Sequence, residues 1–382
     1  MVTFSEKVKG VLISVALGDA LGAPVEKLSY DEIKKSYERV ESLRTEWYKA
    51  GLGEDVTLGK RRGHGIVTDD TLMTNALVNV YLRLRRHLDA YDMSKDFVKE
   101  IAFKKTYIPE LDKETFLIDR LFYPEKYIYI RHVLANCEPR EGGLGNMVNC
   151  GAAMYMAPVG IVNAGDARSA YNEAILFASG HQCSYGLEAA GVFAACVAKA
   201  LEPGATIEEI VKTAILHAKD GTKEAIKDLT RAAIELRTKK AEMDEVIHVL
   251  HSAISTYSPM KNDVHRHIQK VGVASNHYTP NRLFSIEELP LALAFIVFND
   301  GDYYQSLYDG INSGRDTDSI GVMIGAILGA MYGDKVIKAE DILILENHNR
   351  MDFSKIATDF TNLAEEMMIK DILLHEKRRT IL

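Results

Sequence analysis

The 382-residue chain is written almost throughout in a helical hydrophobic rhythm. In "EKVKGVLISVALGDALG" (6–22), "DTLMTNALVNVYLRLRRHL" (70–88) and "SYGLEAAGVFAACVAKAL" (184–201), apolar residues recur every three or four positions, the spacing of one helix face. The same spacing runs through 206–219, 222–241, 285–298 and 318–333. Strict alternation is scarce; "EKYIYIRHVL" (125–134) is the best strand candidate, and it also fits a helix. No low-complexity linker divides the chain. The pattern predicts an all-α fold, one compact multi-helix domain over 1–382, with a longer insertion at about 85–148 and C-terminal helices in 334–382.

Two of the predicted helices are unusual. Gly321, Gly325 and Gly329 recur every fourth residue and so line one face, and Gly18 and Gly22 do the same near the start of the chain. Glycine inside a helix costs about 1 kcal/mol against alanine, so glycines in register point to backbones that must approach closely. Both helices should be central, and each carries acid near one end: Asp19 on the first, Asp316 and Asp318 on the second.

Charge and cysteines narrow the function. A formal net charge of −8 argues against non-specific nucleic-acid binding, although it leaves room for an anionic ligand in a locally basic pocket. Cys137, Cys150, Cys183 and Cys196 form no C-x-x-C pair, which fits neither a disulfide framework nor a zinc site and suits a reducing compartment. Lys7 and Lys9 precede the apolar "VLISVALG" as in a signal peptide, but Asp19 interrupts the run and no cleavage site follows, so a mature helix is expected. "IGVMIGAILGAMYG" is about six residues short of the roughly 20 that span a bilayer. The expectation is a cytoplasmic protein with neither membrane nor nucleic acid as partner; oligomeric state is open.

The candidate chemistry lies in two acidic clusters at predicted helix starts. "TDDT" places Thr68, Asp69 and Asp70 ahead of one helix, and "GRDTDS" places Asp316, Asp318 and Ser319 ahead of another. Either cluster alone reads as N-capping, because Thr and Asp oxygens accept from free helix-start N–H groups. A cap needs one oxygen, however, and together these clusters supply four carboxylates and hydroxyls besides. Two such ends facing each other would surround a small volume with oxygen, and a divalent cation would relieve the repulsion; an all-oxygen set selects Mg²⁺ or Mn²⁺ over zinc.

With these motifs assembled, the chain resembles the ADP-ribosylglycohydrolase family, which includes dinitrogenase-reductase-activating glycohydrolases and ADP-ribosyl-arginine and ADP-ribosyl-serine hydrolases. "GDALGAPVE" (18–26), "TDDT" (68–71) and "GRDTDSIG" (314–321) carry the resemblance in order. "NCGAAMYMAPVG" (149–160) and "SGHQCSYGLEAAG" (179–191) look like variants of the segments between them. The resemblance spans about residues 8 to 333 and implies an all-α fold with two divalent cations, Mg²⁺ or Mn²⁺. By motif position Thr68, Asp69, Asp70, Asp316, Asp318 and Ser319 would be the ligands, and Glu26, Asp69 and Asp316 the catalytic residues. Asn149, Gly151, Tyr155, His181 and Arg315 would bind substrate.

The implied reaction hydrolyses the bond between the anomeric carbon of ADP-ribose and an acceptor atom on a protein side chain. A small ribosyl N-glycoside as substrate, or a non-catalytic crystallin-like or ADP-ribose-binding role, are the alternatives. Cleavage builds positive charge on the ribose ring and requires delivered water, tasks suited to cations and carboxylates; Glu26 or an aspartate would handle the proton. The chain departs from the family pattern at Cys150, Tyr155 and Arg315, where asparagine, arginine and glycine are usual, and in the length of 85–148. Arg315 reads either as an anion grip or as an ion-pair partner of neighbouring acids, and His181 as a substrate contact or a structural histidine. Cys150 and Cys183 read as buried small residues rather than nucleophiles. "NHYTPNRLFS" (276–285) is either a lid or a connection, and the aromatics at 122–129 either stack on a base or join the core.

Overall fold

Two antiparallel helices, Phe4–Gly22 and Thr317–Tyr332, form the centre of the fold in the computed structural model, which describes residues 2–121, 123–146, 150–257 and 286–381. The first is started by a capping box: the Thr3 hydroxyl accepts from Glu6 N–H while the Glu6 carboxylate accepts from Thr3 N–H at 2.8 Å. The two helices meet backbone to backbone. A Cβ on Gly18 would lie 2.2 Å from the Gly321 carbonyl carbon, one on Gly325 2.4 Å from Ser14 O, and one on Gly329 2.5 Å from Gly10 O. The sequence therefore sets how close the helices come by what it omits. It also fixes their register, which brings the C-terminal end of one, with Asp19, to the N-terminal end of the other, with Asp316 and Asp318. Gly18→Val is expected to cost about 3 kcal/mol or more of unfolding free energy in denaturant titration, since backbone cannot move aside for the added atoms.

Around this pair, Ser184–Ala200 packs on Ala157–Val162, Ala167–Ala178 and Thr317–Tyr332, and Glu288–Phe298 lies between Asp220–Thr238 and Thr317–Tyr332. Among the described residues, Phe4–Val25 alone has the length and apolarity of a membrane span, and 94% of its apolar window is buried inside the fold. That burial is explained by the helices around it.

The segment 85–148 holds the departures from the predicted elements. "EKYIYIRHVL" is helical, within Tyr123–Leu134; Glu125, Ile128, Tyr129 and His132 are its buried residues, at the i, i+3, i+4, i+7 spacing of a helix face. The described strands are instead Lys105–Ile108 and Lys113–Phe116, an antiparallel hairpin in register Lys105↔Phe116 and Ile108↔Lys113. At four residues each and largely exposed along Lys113–Phe116, they carry too little alternation to be legible. Their turn, Pro109–Leu111, drives Glu110 into the interior with no exposure at all.

The C-terminal helices Ala339–Asn349 and Phe353–Arg379 brace the site from outside. Asn349 accepts from Val67 N–H at 3.0 Å and donates to Gly65 O at 2.7 Å, fixing the loop that leads into Thr68. His87 bonds Glu173 at 2.6 Å and Asp371 at 3.0 Å, tying Phe353–Arg379 to the body. The hydrogen bond and charge of Glu173 lead the effects that raise His87 to about 9 from an ordinary 6.5. A histidine raised on folding stabilises fully below its unfolded value, and that contribution fades as pH climbs from 6.5 through 9. Unfolding free energy measured across that window should fall more steeply for the native chain than for His87→Gln.

Candidate active site

Asp19 explains how one of the two acidic helix starts is released from capping duty. It is fully buried and accepts from Thr68 N–H at 2.8 Å, from Thr71 N–H at 3.1 Å and from the Thr71 hydroxyl. The helix Asp69–Leu84 thus takes its cap from a neighbouring helix, and neither it nor Thr317–Tyr332 has a side-chain cap from its own N-cap residue. The capping alternative therefore fails for Thr68 and Asp316. Burial pushes Asp19 up to about 6, against the opposing hydrogen bonds of Thr71 and Thr68.

The carboxylates converge. Ser319 Oγ donates to Asp70 Oδ1 at 3.1 Å, joining the two helix starts directly, and Thr68 Oγ1 donates to Asp70 Oδ2 at 3.4 Å. Oxygens of Glu26, Asp316 and Asp318 lie within 4.8 Å of one another. Burial, then the charges of Asp19, Asp69 and Asp316, holds Asp70 well above the carboxylate range; burial, then Glu26, Asp70 and Asp316, does the same to Asp318. Buried acids pushed upward by one another form a site short of positive charge. The donors are oxygens of carboxylates and hydroxyls, so the residues fit a hard divalent cation. Cys150 borders this centre, its Sγ 3.8 Å from Asp316 Oδ2, and with Glu288 and Asp316 it forms a second group of donors within 4.8 Å. Burial and the charges of Glu288, Asp316 and Asp70 raise its thiol well above the ordinary value, so Cys150 is a neutral packing residue and no thiolate nucleophile.

A chain of alternating charges wraps the acidic side. Arg62 binds Glu26 with Nη1 and Glu110 with Nε, the latter at 2.8 Å; Arg120 binds Glu110 with Nε and Asp69 with Nη1. The order Glu26–Arg62–Glu110–Arg120–Asp69 links the glutamate expected to act on a proton to the aspartate expected to ligate. Its middle member cannot reach water. Burial opposes the charge on Glu110, but Arg120, Arg62 and Lys60 overcome it and hold the carboxyl down at about 2. Sequence reading missed Arg62, Glu110 and Arg120. Only "KRRGHGIVTDD", with its basic residues just ahead of the aspartates, carries a hint of Arg62.

The expected substrate-binding residues fall into different places. Tyr155 and His181 have no exposure and bond each other, Tyr155 Oη to His181 Nδ1 at 2.6 Å; His181 Nε2 contacts Glu125, also buried. Gly151 backs this group, since a Cβ there would lie 2.4 Å from Glu125 Oε1. These residues are packed beneath the centre. Asn149, Phe122 and the stretch 276–285 lie outside the described residues. Arg315 Nη1 forms a buried ion pair with Glu287 at 2.8 Å. Its backbone is held at φ 74°, where its N–H donates to Leu28 O and its carbonyl accepts from Lys27 N–H, each at 2.8 Å. Arg315→Gly should unfold with about 1 kcal/mol more free energy than Arg315→Ala, both lacking the guanidinium and differing in tolerance of that left-handed conformation.

Arg315 also borders a polar cleft of about 580 Å³ between Ser29–Lys34 and the Asp244, His248, His251 and Ser255 face of Met243–Ser255. The carboxylates of the acidic centre lie beside this cleft and do not line it.

With this geometry in place, comparison with known proteins is decisive for the family. A profile of ADP-ribosylglycohydrolases matches residues 1–375. The chain belongs to the ADP-ribosylglycohydrolase family. Among its relatives, the uncharacterized protein YegU of Escherichia coli K12 is 24% identical and covers 93% of this chain and 96% of its own length. ADP-ribosylhydrolase ARH3 of Mus musculus is 25% identical, covering 85% of this chain and 83% of its own length. A solved structure named as an ADP-ribosylglycohydrolase-related protein complex superposes with a TM-score of 0.56 at 18% identity, over 94% of this chain and 99% of that one, which fixes the fold. Membership in the ADP-ribosylglycohydrolase family supports a glycohydrolase-type enzyme, and the metal dependence of its members agrees with the acidic groups gathered here.

Proposed function

We propose that this chain is a divalent-metal-dependent hydrolase of the glycosidic bond of an ADP-ribosylated protein side chain. The observation that carries the proposal is the convergence of Asp70, Asp316 and Asp318 from two helix starts with Glu26, which follows the C-terminal end of the first helix. The ADP-ribosylhydrolase relatives supply the substrate class.

In this reading Thr68, Asp69, Asp70, Asp316, Asp318 and Ser319 would together hold two divalent cations, Mg²⁺ or Mn²⁺. When bound, the cations supply Lewis acidity toward the ribose hydroxyls and a water made more acidic. The chain's own part follows from its contacts. Glu26 sits in the cluster with Arg62 on one oxygen and Lys27 3.5 Å from the other, contacts that hold in place the carboxylate that would take a proton from water. The carboxylates near the anomeric carbon favour the positive charge that develops on the ribose ring. Asp19 positions Thr68 through its N–H and never touches substrate. Arg120 orients Asp69 from behind.

Release of free ADP-ribose from arginine- and serine-ADP-ribosylated protein, with Mg²⁺ or Mn²⁺, tests the reading. Turnover that disappears in Asp316→Ala supports it. A folded protein that gains thermal stability from the cations yet releases nothing from either linkage retires the protein substrate.

A further inference from the structure

The helix Phe353–Arg379 is apolar on the wrong side. Its buried residues include Phe353, Ala357, Phe360, Ala364 and Met367, one face at helical spacing, and Asp371 continues that face by bonding His87 on the body. Ile369 and Leu373 stand on the opposite face at 100° per residue and Ile372 on its flank, each 57% exposed, with Glu376 between Ile369 and Ile372. An outward apolar stripe on a helix whose inward face is already satisfied calls for a partner.

The flanks of the stripe say which partner. On one side Glu365, Ile372 and Arg379 are seven residues apart and nearly in line. On the other lie Glu366 and Lys377. When two copies of one helix pair antiparallel about a two-fold axis, each flank meets the same flank of its mate. An axis through Ile372 sets Ile372 against itself, Glu365 opposite Arg379 of the other copy, and Glu366 within one residue of the other copy's Lys377. Parallel, in-register pairing gains no such match, because it sets Glu365 opposite Glu365 and Arg379 opposite Arg379. Glu365, Lys377 and Arg379 have no ion pair among the described residues, whereas Glu366 already bonds Lys370 at 2.7 Å and contacts Arg85.

We infer that the outward face of Phe353–Arg379 binds a second copy of this chain, antiparallel about a two-fold axis near Ile372. The acidic centre lies on other helices, so the inference does not depend on the proposed reaction.

Sedimentation velocity of the full chain up to about 100 µM tests it. A reversible dimer is expected. Glu365→Arg and Arg379→Glu should each weaken it roughly tenfold or more, since each sets like charges together at both symmetry-related positions. The double variant E365R/R379E should restore it, which a general loss of helix stability would not do. Leu373→Asp should leave a monomer with an unchanged melting temperature. A native chain monomeric at the highest concentration overturns the inference. So does failure of the double variant to recover, or binding of the helix to vesicles with no self-association.

Discussion

Asp318→Asn is expected to yield a chain that is more stable than the native one without metal and inactive with it. Oxygens of Asp318, Asp316 and Glu26 lie within 4.8 Å of one another, where two unit charges repel by about 3 kcal/mol at an effective dielectric of 20. Arg62 and protonation relieve part of that, so removal of one charge should raise metal-free unfolding free energy by about 1–2 kcal/mol. Asparagine keeps the side-chain oxygen that accepts from Ser319 N–H at 3.1 Å, and its shape is nearly unchanged. The sign on pH follows. Burial and its acidic neighbours raise Asp318 on folding, so it penalises the fold at pH above the raised value, and the penalty disappears as pH falls toward the unfolded carboxylate range. Metal-free native protein should therefore gain stability on mild acidification, and the variant should gain less. With Mg²⁺ or Mn²⁺ the order inverts: the native chain rises in melting temperature and the variant hardly moves, while its turnover drops by roughly 10³-fold. Equal melting shifts for the two proteins would remove Asp318 from the metal centre.

Glu110→Gln should be the most damaging single-atom exchange outside that centre. Glu110 is unexposed and is the anion shared by Arg62 and Arg120. Glutamine leaves two buried guanidinium groups with one carboxylate fewer, a kind of break that costs about 3–5 kcal/mol. The titration agrees in size: a carboxyl lowered from 4.5 to about 2 stabilises the fold by roughly 3 kcal/mol above the unfolded value, and loses it as pH falls toward 2. The loss in activity should exceed what stability explains, because Arg62 and Arg120 would no longer hold Glu26 and Asp69 at fixed places. Denaturant titration and turnover at a temperature where both proteins remain folded separate the effects. A variant that loses stability but keeps full turnover would leave the charge chain as mere scaffolding.

The contrast between these two sites explains what the sequence made legible. Asp316 and Asp318 stand out because two charges a residue apart precede an apolar, glycine-spaced helix, so local pattern and chemistry coincide. The glycines themselves announce the close helix pair, since their cost has no other local use. Glu110 and Arg120 announce nothing: they lie in a segment of mixed composition, and only tertiary folding sets them beside Arg62, 48 residues earlier than Glu110. Asp19 was visible as an oddity in an apolar run, but its role as another helix's cap depends on a contact 49 residues along the chain. Tyr155 and His181 show the opposite limit. Their types suit a binding site, and nothing local reports that they turn inward and satisfy each other. The hairpin at Lys105–Phe116 escaped because short exposed strands lack a buried face to impose alternation.

The bare contact between Phe4–Gly22 and Thr317–Tyr332 has a mechanical consequence. Where side chains interlock, helices can exchange rotamers and slide; where carbonyls press on Cα atoms there is no such gearing, and the pair behaves as one casting. Asp70, bonded to it by Ser319 and carried on a helix whose Thr68 and Thr71 donate to Asp19, belongs to the same fixed body. The stretch from Lys27 to Val67 is held as well, at Arg315, at Asn349, by Val40 N–H on Asn312 at 2.8 Å and by Arg62 on Glu110 at 2.8 Å, so a ligand meets an acidic centre that is already assembled and does not have to close it.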